Sequence, residues 1–151
     1  MNVYFDNAAT TPIRAEVIQV ISSVMDNCFG NPSSVHSYGR TAKTNLETAR
    51  KGIANALNAA PQEIIFTSGG TESDNMILHC AVKDLGIKTI ISSSIEHHAI
   101  LHALDSLKLL HGIEVLYVNL FDDGSIDLNN LVSLLQKDTS KKLVSLMHVN
   151  N

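Results

Sequence analysis

Residues 63–75 read EIIFTSGGTESDN, and their order decides what kind of fold the chain builds. The apolar run from Glu63 to Ser68 reads as a short buried strand. Gly69 and Gly70 break it, and Thr71 opens a helical pattern expected to reach about Leu85, with Gly86 as the C′ residue. A strand that turns through two glycines into a helix makes a cup of backbone N–H groups. The first amides of a helix have no partner within it, and the helix dipole is positive there. Glycines admit a ligand close to the backbone and the Thr71 hydroxyl adds a donor, so the cup suits a phosphate. Glu72 and Asp74 suit a first helical turn but would repel an anion, so they are expected to point away. The same letters also fit a plain tight turn capped by Ser68 or Thr71. Without a Walker lysine they do not make a P-loop.

Working outward, the pattern alternates. Residues 14–26 carry Val17, Ile18, Ile21, Val24 and Met25 at helical spacing. Phe29–Gly39, FGNPSSVHSYG, is rich in turn formers and reads as a long loop. From Thr41, apolar positions recur every three or four residues, which predicts an amphipathic helix. Beyond Gly86 come a strand at Lys88–Ser94 and a helix over 97–110, with Ile100, Leu101, Leu104, Leu107 and Leu110 on or near one face and Gly112 closing it. A strand at Glu114–Asn119 follows, then a turn at Asp123-Gly124. Asp127 N-caps a helix through Leu135, and a last strand spans Lys142–Val149. Strands and helices in alternation argue for an α/β fold with a mostly parallel sheet flanked by helices.

Composition excludes several classes. The chain is 44% hydrophobic and 17% charged, as soluble globular domains are. Its net charge of −4, with no basic cluster, argues against nucleic acid as a partner. No apolar run approaches the ~20 residues that span a bilayer, so no membrane partner is expected. The first residues, MNVYFDNAATT, lack the basic start of a signal peptide. Cys28 and Cys80 form no CxxC pair, which fits a reduced, cytoplasmic setting. Cys28 reads as structural, with no basic neighbour to lower its pKa.

Of the seven histidines, His97, His98 and His102 cluster in SIEHHAILH. His98 and His102 share a helix face and make half of a zinc site, but no further ligand completes it, so no metal is expected. His97 follows a strand and an acid. Its ring is placed to stack on a flat ligand or exchange protons, or it is an ordinary histidine at a helix start. His148 is expected to be a buried, hydrogen-bonded core residue, and His79 and Cys80 to pack within their helix.

Several stretches together resemble one family. YFDNAATTP (Tyr4–Pro12), FGNPSSVHSYG (Phe29–Gly39), EIIFTSGGTESDN (Glu63–Asn75), the Glu96-His97 pair and VSLMHVNN (Val144–Asn151) are similar to the N-terminal half of a cysteine desulfurase. These are pyridoxal-phosphate enzymes of the class V aminotransferase group. The resemblance runs along the whole chain in order.

It implies a homodimer of fold type I, whose large domain carries the cofactor, pyridoxal 5'-phosphate, on a mostly parallel sheet. On this reading 1–13 is an arm near the substrate entrance, 14–60 holds helices and an interface loop, and 61–151 begins the large domain, which is incomplete. The implied reaction takes sulfur from L-cysteine, leaving alanine and an enzyme persulfide for an iron–sulfur scaffold or another sulfur-acceptor protein. Gly70 and Thr71 match the family's phosphate contacts. His97 matches the catalytic histidine that stacks on the ring, and Asn151 the residue that bonds the ring hydroxyl. Asn7, Ala8, Thr10, Asn31 and His36 match segments at the substrate entrance and dimer interface. The family's lysine, its pyridine-pairing aspartate and its persulfide cysteine have no match in this chain. The chain therefore reads as an N-terminal fragment, inactive alone and expected to self-associate or pair with the remaining polypeptide. A selenocysteine lyase or a non-catalytic dimerisation or decoy module would share these features.

Overall fold

The computed structural model describes residues 3–7 and 9–149. Of the residues singled out above, Ala8 and Asn151 lie outside the described residues. The chain divides into two compact units, Met1–Phe66 and Thr67–Asn151.

The first unit holds helices α1 (Ala15–Asn27) and α2 (Ser37–Ala56) and a short 3-10 turn at Pro61–Glu63. The apolar stripe of α1 is present as expected, but none of its residues is buried. α2 begins at Ser37, four residues before the predicted start at Thr41. The cause is a cap that the turn-former count does not see: the His36 imidazole Nδ1 accepts the Gly39 N–H at 3.3 Å. Gly30 and Gly39 are needed for close approach. A Cβ on Gly30 would lie 2.3 Å from the Tyr38 carbonyl oxygen, and one on Gly39 would lie 2.3 Å from that of Ser34. The loop between them folds onto the first turn of α2, with the Phe29 and Tyr38 rings 5.1 Å apart.

The predicted buried strand at Glu63–Ser68 is not formed. Ile64 is extended, but no strand pairs with the segment among the described residues, and Ile65 is 65% exposed. Apolar letters specify extended backbone more readily than a neighbour to bond with. Arg50 supplies part of what a ladder would. Its guanidinium donates to the Ile64 carbonyl and lies 4.7 Å from the centroid of the Phe66 ring.

The second unit is the α/β part. It runs α3 (Gly70–Lys83), β1 (Thr89–Ser92), α4 (His98–His111), β2 (Glu114–Tyr117), α5 (Leu128–Gln136) and β3 (Lys142–Val144). The three strands form one wholly parallel sheet in the order β2-β1-β3, with Ile90 opposite Val115 on one side and Leu143 on the other. Chain stops are local and clear: Gly86 at φ 68° and Gly112 at φ 63° take the left-handed conformation after α3 and α4. The Asp127 carboxylate caps α5 by accepting the Asn129 and Asn130 amides.

The α3 and α4 helices pack on each other and on β1. Leu78, Ile90, Leu104 and Leu107 at the centre of the core are at most 1% exposed. On α4 the buried set is Ile100, Ala103, Leu104 and Leu107, the i, i+3, i+4, i+7 face. Leu110 falls off that face and is 66% exposed. Cys80, expected to pack, is exposed on α3, and His148 is exposed rather than buried. The last strand is shorter than predicted, ending at Val144 instead of Val149. Ser145 N–H still reaches the Ile91 carbonyl, but two residues later the Met147 N–H goes to a carboxylate, that of Glu96. Among the described residues no helix is long and apolar enough to cross a membrane.

Candidate cofactor site

α3 enters β1 through the short connection at 84–88 and so runs back along the sheet, while α4 leaves from the end of β1. Both helices therefore start at the carboxyl end of the parallel strands, where ligands of such sheets collect. Their early turns meet around a small cavity of about 100 Å³ lined by Asp74, Ile77 and Leu78 of α3, Ile100 of α4, and Leu143–Ser145 at the end of β3.

The turn into α3 is held by hydroxyls. Thr67 Oγ1 pairs with Ser73 Oγ at 2.6 Å, and both lie 3.3 Å from the Gly69 carbonyl oxygen. The helical ladder begins with the Ser73 N–H on that same carbonyl at 3.1 Å. The amides of Gly70, Thr71 and Glu72 precede the ladder and face outward at the positive end of the dipole. A Cβ on Gly69 or Gly70 would meet nothing within 4 Å, and Thr71 is exposed. Donors with open space before them and a free hydroxyl alongside fit a phosphate monoester.

Glu72 departs from expectation. Its carboxylate does not turn away but folds back, accepting the Ser68 N–H at 2.6 Å and the Ser68 hydroxyl at 2.7 Å. These bonds, the hydroxyl first and the amide second, hold its carboxyl below the usual range. The physical reason is the orphan amide itself: a carboxylate at the third helical position reaches back to it, half of a capping box displaced by one residue. The Gly70–Glu72 amides are left for a ligand.

His97 is the N-cap of α4. Its Nδ1 accepts the Ala99 N–H at 3.1 Å, so in the neutral ring the proton sits on Nε2. The ring is exposed, leaving a face for stacking and one nitrogen for proton exchange. His98 and His102 lie with ring centroids 5.7 Å apart, and among the described residues no third ligand joins them.

The second unit thus brings Gly70, Thr71 and His97 to one end of its sheet. Asn7, Thr10, Asn31 and His36 belong to the first unit. There Asn7 Nδ2 reaches the Tyr4 carbonyl at 3.4 Å, and the Thr10 hydroxyl pairs with that of Tyr4. Asn31 Oδ1 accepts the Ser33 N–H at 2.9 Å, and His36 caps α2. Sequence reading assigned no role to Thr67, Ser73 or the Glu96 side chain. Hydroxyls six apart across a Gly-Gly turn, and an acid in the strand-to-helix loop, were the available signals.

Comparison with known proteins follows the same residues. The family profile described as aminotransferase class-V matches residues 3–151. A cysteine desulfurase IscS from Dictyoglomus turgidum is 46% identical over 151 residues, covering 99% of this chain and 38% of that protein. A cysteine desulfurase IscS from Methanosarcina thermophila is 45% identical, covering 99% of this chain and 37% of that protein. The chain thus spans less than two-fifths of these relatives' length. Among solved structures, one described as a NifS-like protein superposes with a TM-score of 0.91 at 38% identity, covering 99% of this chain and 41% of that one. Another, described as SspA in complex with cysteine, gives 0.84 at 33% identity, covering 97% and 42%.

Proposed function

The chain belongs to the aminotransferase class-V family, and from that premise we propose that it supplies the phosphate cup and ring-stacking histidine of a pyridoxal-phosphate cysteine desulfurase. The observation that carries this reading is that α3 and α4 both start at the carboxyl end of the parallel strands, one at Gly70 and Thr71 and the other behind the exposed His97 imidazole. The amides and the Thr71 hydroxyl would hold the phosphate. The exposed His97 ring would stack on the coenzyme's ring, with Nε2 as the nitrogen that exchanges a proton. Asn151 would bond the ring hydroxyl. When bound, the coenzyme supplies an electron sink for breaking bonds at the substrate's carbons.

The substrate is L-cysteine, and the sulfur passes to an acceptor protein such as an iron–sulfur scaffold. The working form is a cytoplasmic homodimer, with Asn7, Ala8, Thr10, Asn31 and His36 toward the substrate entrance and dimer contact. Neither cysteine of this chain is the sulfur carrier. Cys28 Sγ accepts a bond from Asn45 Nδ2 at 3.2 Å. The Cys80 thiol is pushed up by its hydrogen bond with Asp84, which makes it a poorer nucleophile.

The test uses the full-length natural polypeptide that contains these residues. It should bind pyridoxal phosphate with a visible absorbance band and release alanine from L-cysteine. Replacing His97 with Gln should lower kcat by roughly 10²- to 10⁴-fold. Thr71→Val should weaken coenzyme binding. A wild-type protein that binds no coenzyme overturns the reading, and so does full activity in the His97 variant.

A further inference from the structure

Glu96 is 7% exposed, one residue before His97 and four beyond the end of β1. Its Oε1 accepts the Met147 N–H. A carboxyl group buried this deeply is costly unless its oxygens find donors, so the contact is a structural commitment. The loop around it is closed by two further bonds. Ser93 Oγ accepts the Ile95 N–H at 3.2 Å, and the Ser93 carbonyl accepts the Glu96 N–H at 3.4 Å. On the other side, Met147 lies three residues past β3 and leads directly to His148, Val149 and the two asparagines. Glu96 therefore takes over where the β1–β3 ladder stops. Backbone bonds join the strands as far as Ser145, and one side chain joins the two loops beyond them.

We propose that Glu96 is a positioning residue that locks the segment after β3, residues 145–149, to the loop carrying His97, so that the imidazole and this segment stand as one rigid pair. This rests on the site reading given above. The length of the side chain matters: an aspartate is one methylene shorter and cannot span the gap, whereas a glutamine keeps an oxygen acceptor at the same reach. The lock leaves the chemistry to His97 and fixes where the ring stands. Misplacements of about an ångström at such sites cost on the order of 10²-fold.

The experiment compares Glu96→Gln, Glu96→Asp and Glu96→Ala in the full-length polypeptide by three readouts: amide exchange at Met147, pyridoxal-phosphate affinity, and visible circular dichroism of the bound coenzyme. Asp and Ala should speed Met147 exchange by roughly 10-fold or more. They should also weaken coenzyme affinity about 10- to 100-fold and change the dichroic band. Gln should stay within a few-fold of wild type in all three. If the Ala variant does not fold, the Asp variant decides. A role confined to folding would lower Tm while leaving affinity and dichroism of the folded fraction unchanged, and that result overturns the proposal. So does a Gln variant as impaired as Ala. Should wild type bind no coenzyme, the site reading fails on its own. The lock is then judged by Met147 exchange, and slow exchange in the Ala variant sinks it.

Discussion

Among the described residues of the first unit only Gly39, Ala42 and Ala54 are buried, whereas the second closes α3, β1 and α4 around side chains with almost no exposure. Both units have amphipathic helices. In the second the apolar face of α4 meets a sheet and another helix. In the first, Val17, Ile21 and Val24 on α1 remain 43–47% exposed. The difference lies in partners, not in pattern. A helical stripe of apolar residues is an offer of burial, and only the second unit completes it.

Stability measurements on the 151-residue chain should separate the two units most strongly. Leu104 is fully buried, so Leu104→Ala removes burial and leaves a cavity, at a cost of about 2–5 kcal/mol in urea unfolding. Ile21→Ala should stay within about 0.5 kcal/mol. A cost for Ile21 comparable to that of Leu104 would break the contrast, because it would mean that something covers α1 in solution.

Glycines sharpen the same comparison with a smaller effect. Gly39 is small because backbone stands 2.3 Å from where its Cβ would go, and Gly39→Ala should cost about 1–3 kcal/mol through overpacking. Gly70 has open space instead. Gly70→Ala should leave thermal stability unchanged or raise it by about 0.4–1 kcal/mol, while weakening pyridoxal-phosphate binding in the full-length polypeptide. Equal destabilisation at both positions would mean that Gly70 serves packing and not access.

These contrasts also mark what the sequence made legible. Signals that act within a few residues were readable: Gly112 closes α4 and Asp127 begins α5 where expected, because a positive φ or a carboxylate cap is a local demand, while α3 stops at Lys83, short of the predicted Leu85, and leaves Gly86 beyond its C′ position. The parallel α/β class followed from alternation. What stayed hidden depends on residues far away in sequence. Whether 63–68 is a strand depends on a neighbour, and Arg50 intervenes from α2. β3 stops early because Glu96, 51 residues back, takes the Met147 amide. The start of α2 was missed because an imidazole at His36 does the work that Ser or Asp usually does. At the candidate site, Gly70, Thr71 and His97 were singled out by their match to the family's motifs, whereas the Glu96 side chain went unassigned, since an acid in a strand-to-helix loop does not announce that a distant amide will bury it.

The smallest expected effect concerns acid, and it too divides the units. α2 has no acid in its first turn, and its cap is an imidazole. α3 relies on the Glu72 carboxylate, whose folded pKa lies below the ordinary value because Ser68 bonds to the charged form. A depressed carboxyl pKa contributes stability that is complete above the unfolded value and is lost as pH falls through the folded one. The loss should therefore begin near the usual glutamate range, about pH 4.3, and finish below it. Glu72→Gln, which keeps an acceptor but cannot titrate, should flatten this part of the stability–pH curve. Because Glu72 is exposed, salt should shrink the difference. Amide exchange at Ser68 in acid should rise in wild type with no matching change at Ala54, buried within α2 of the first unit. Parallel rises at Ser68 and Ala54 would show that acid loosens the chain as a whole, and would remove the carboxylate from the account of how the cup keeps its shape.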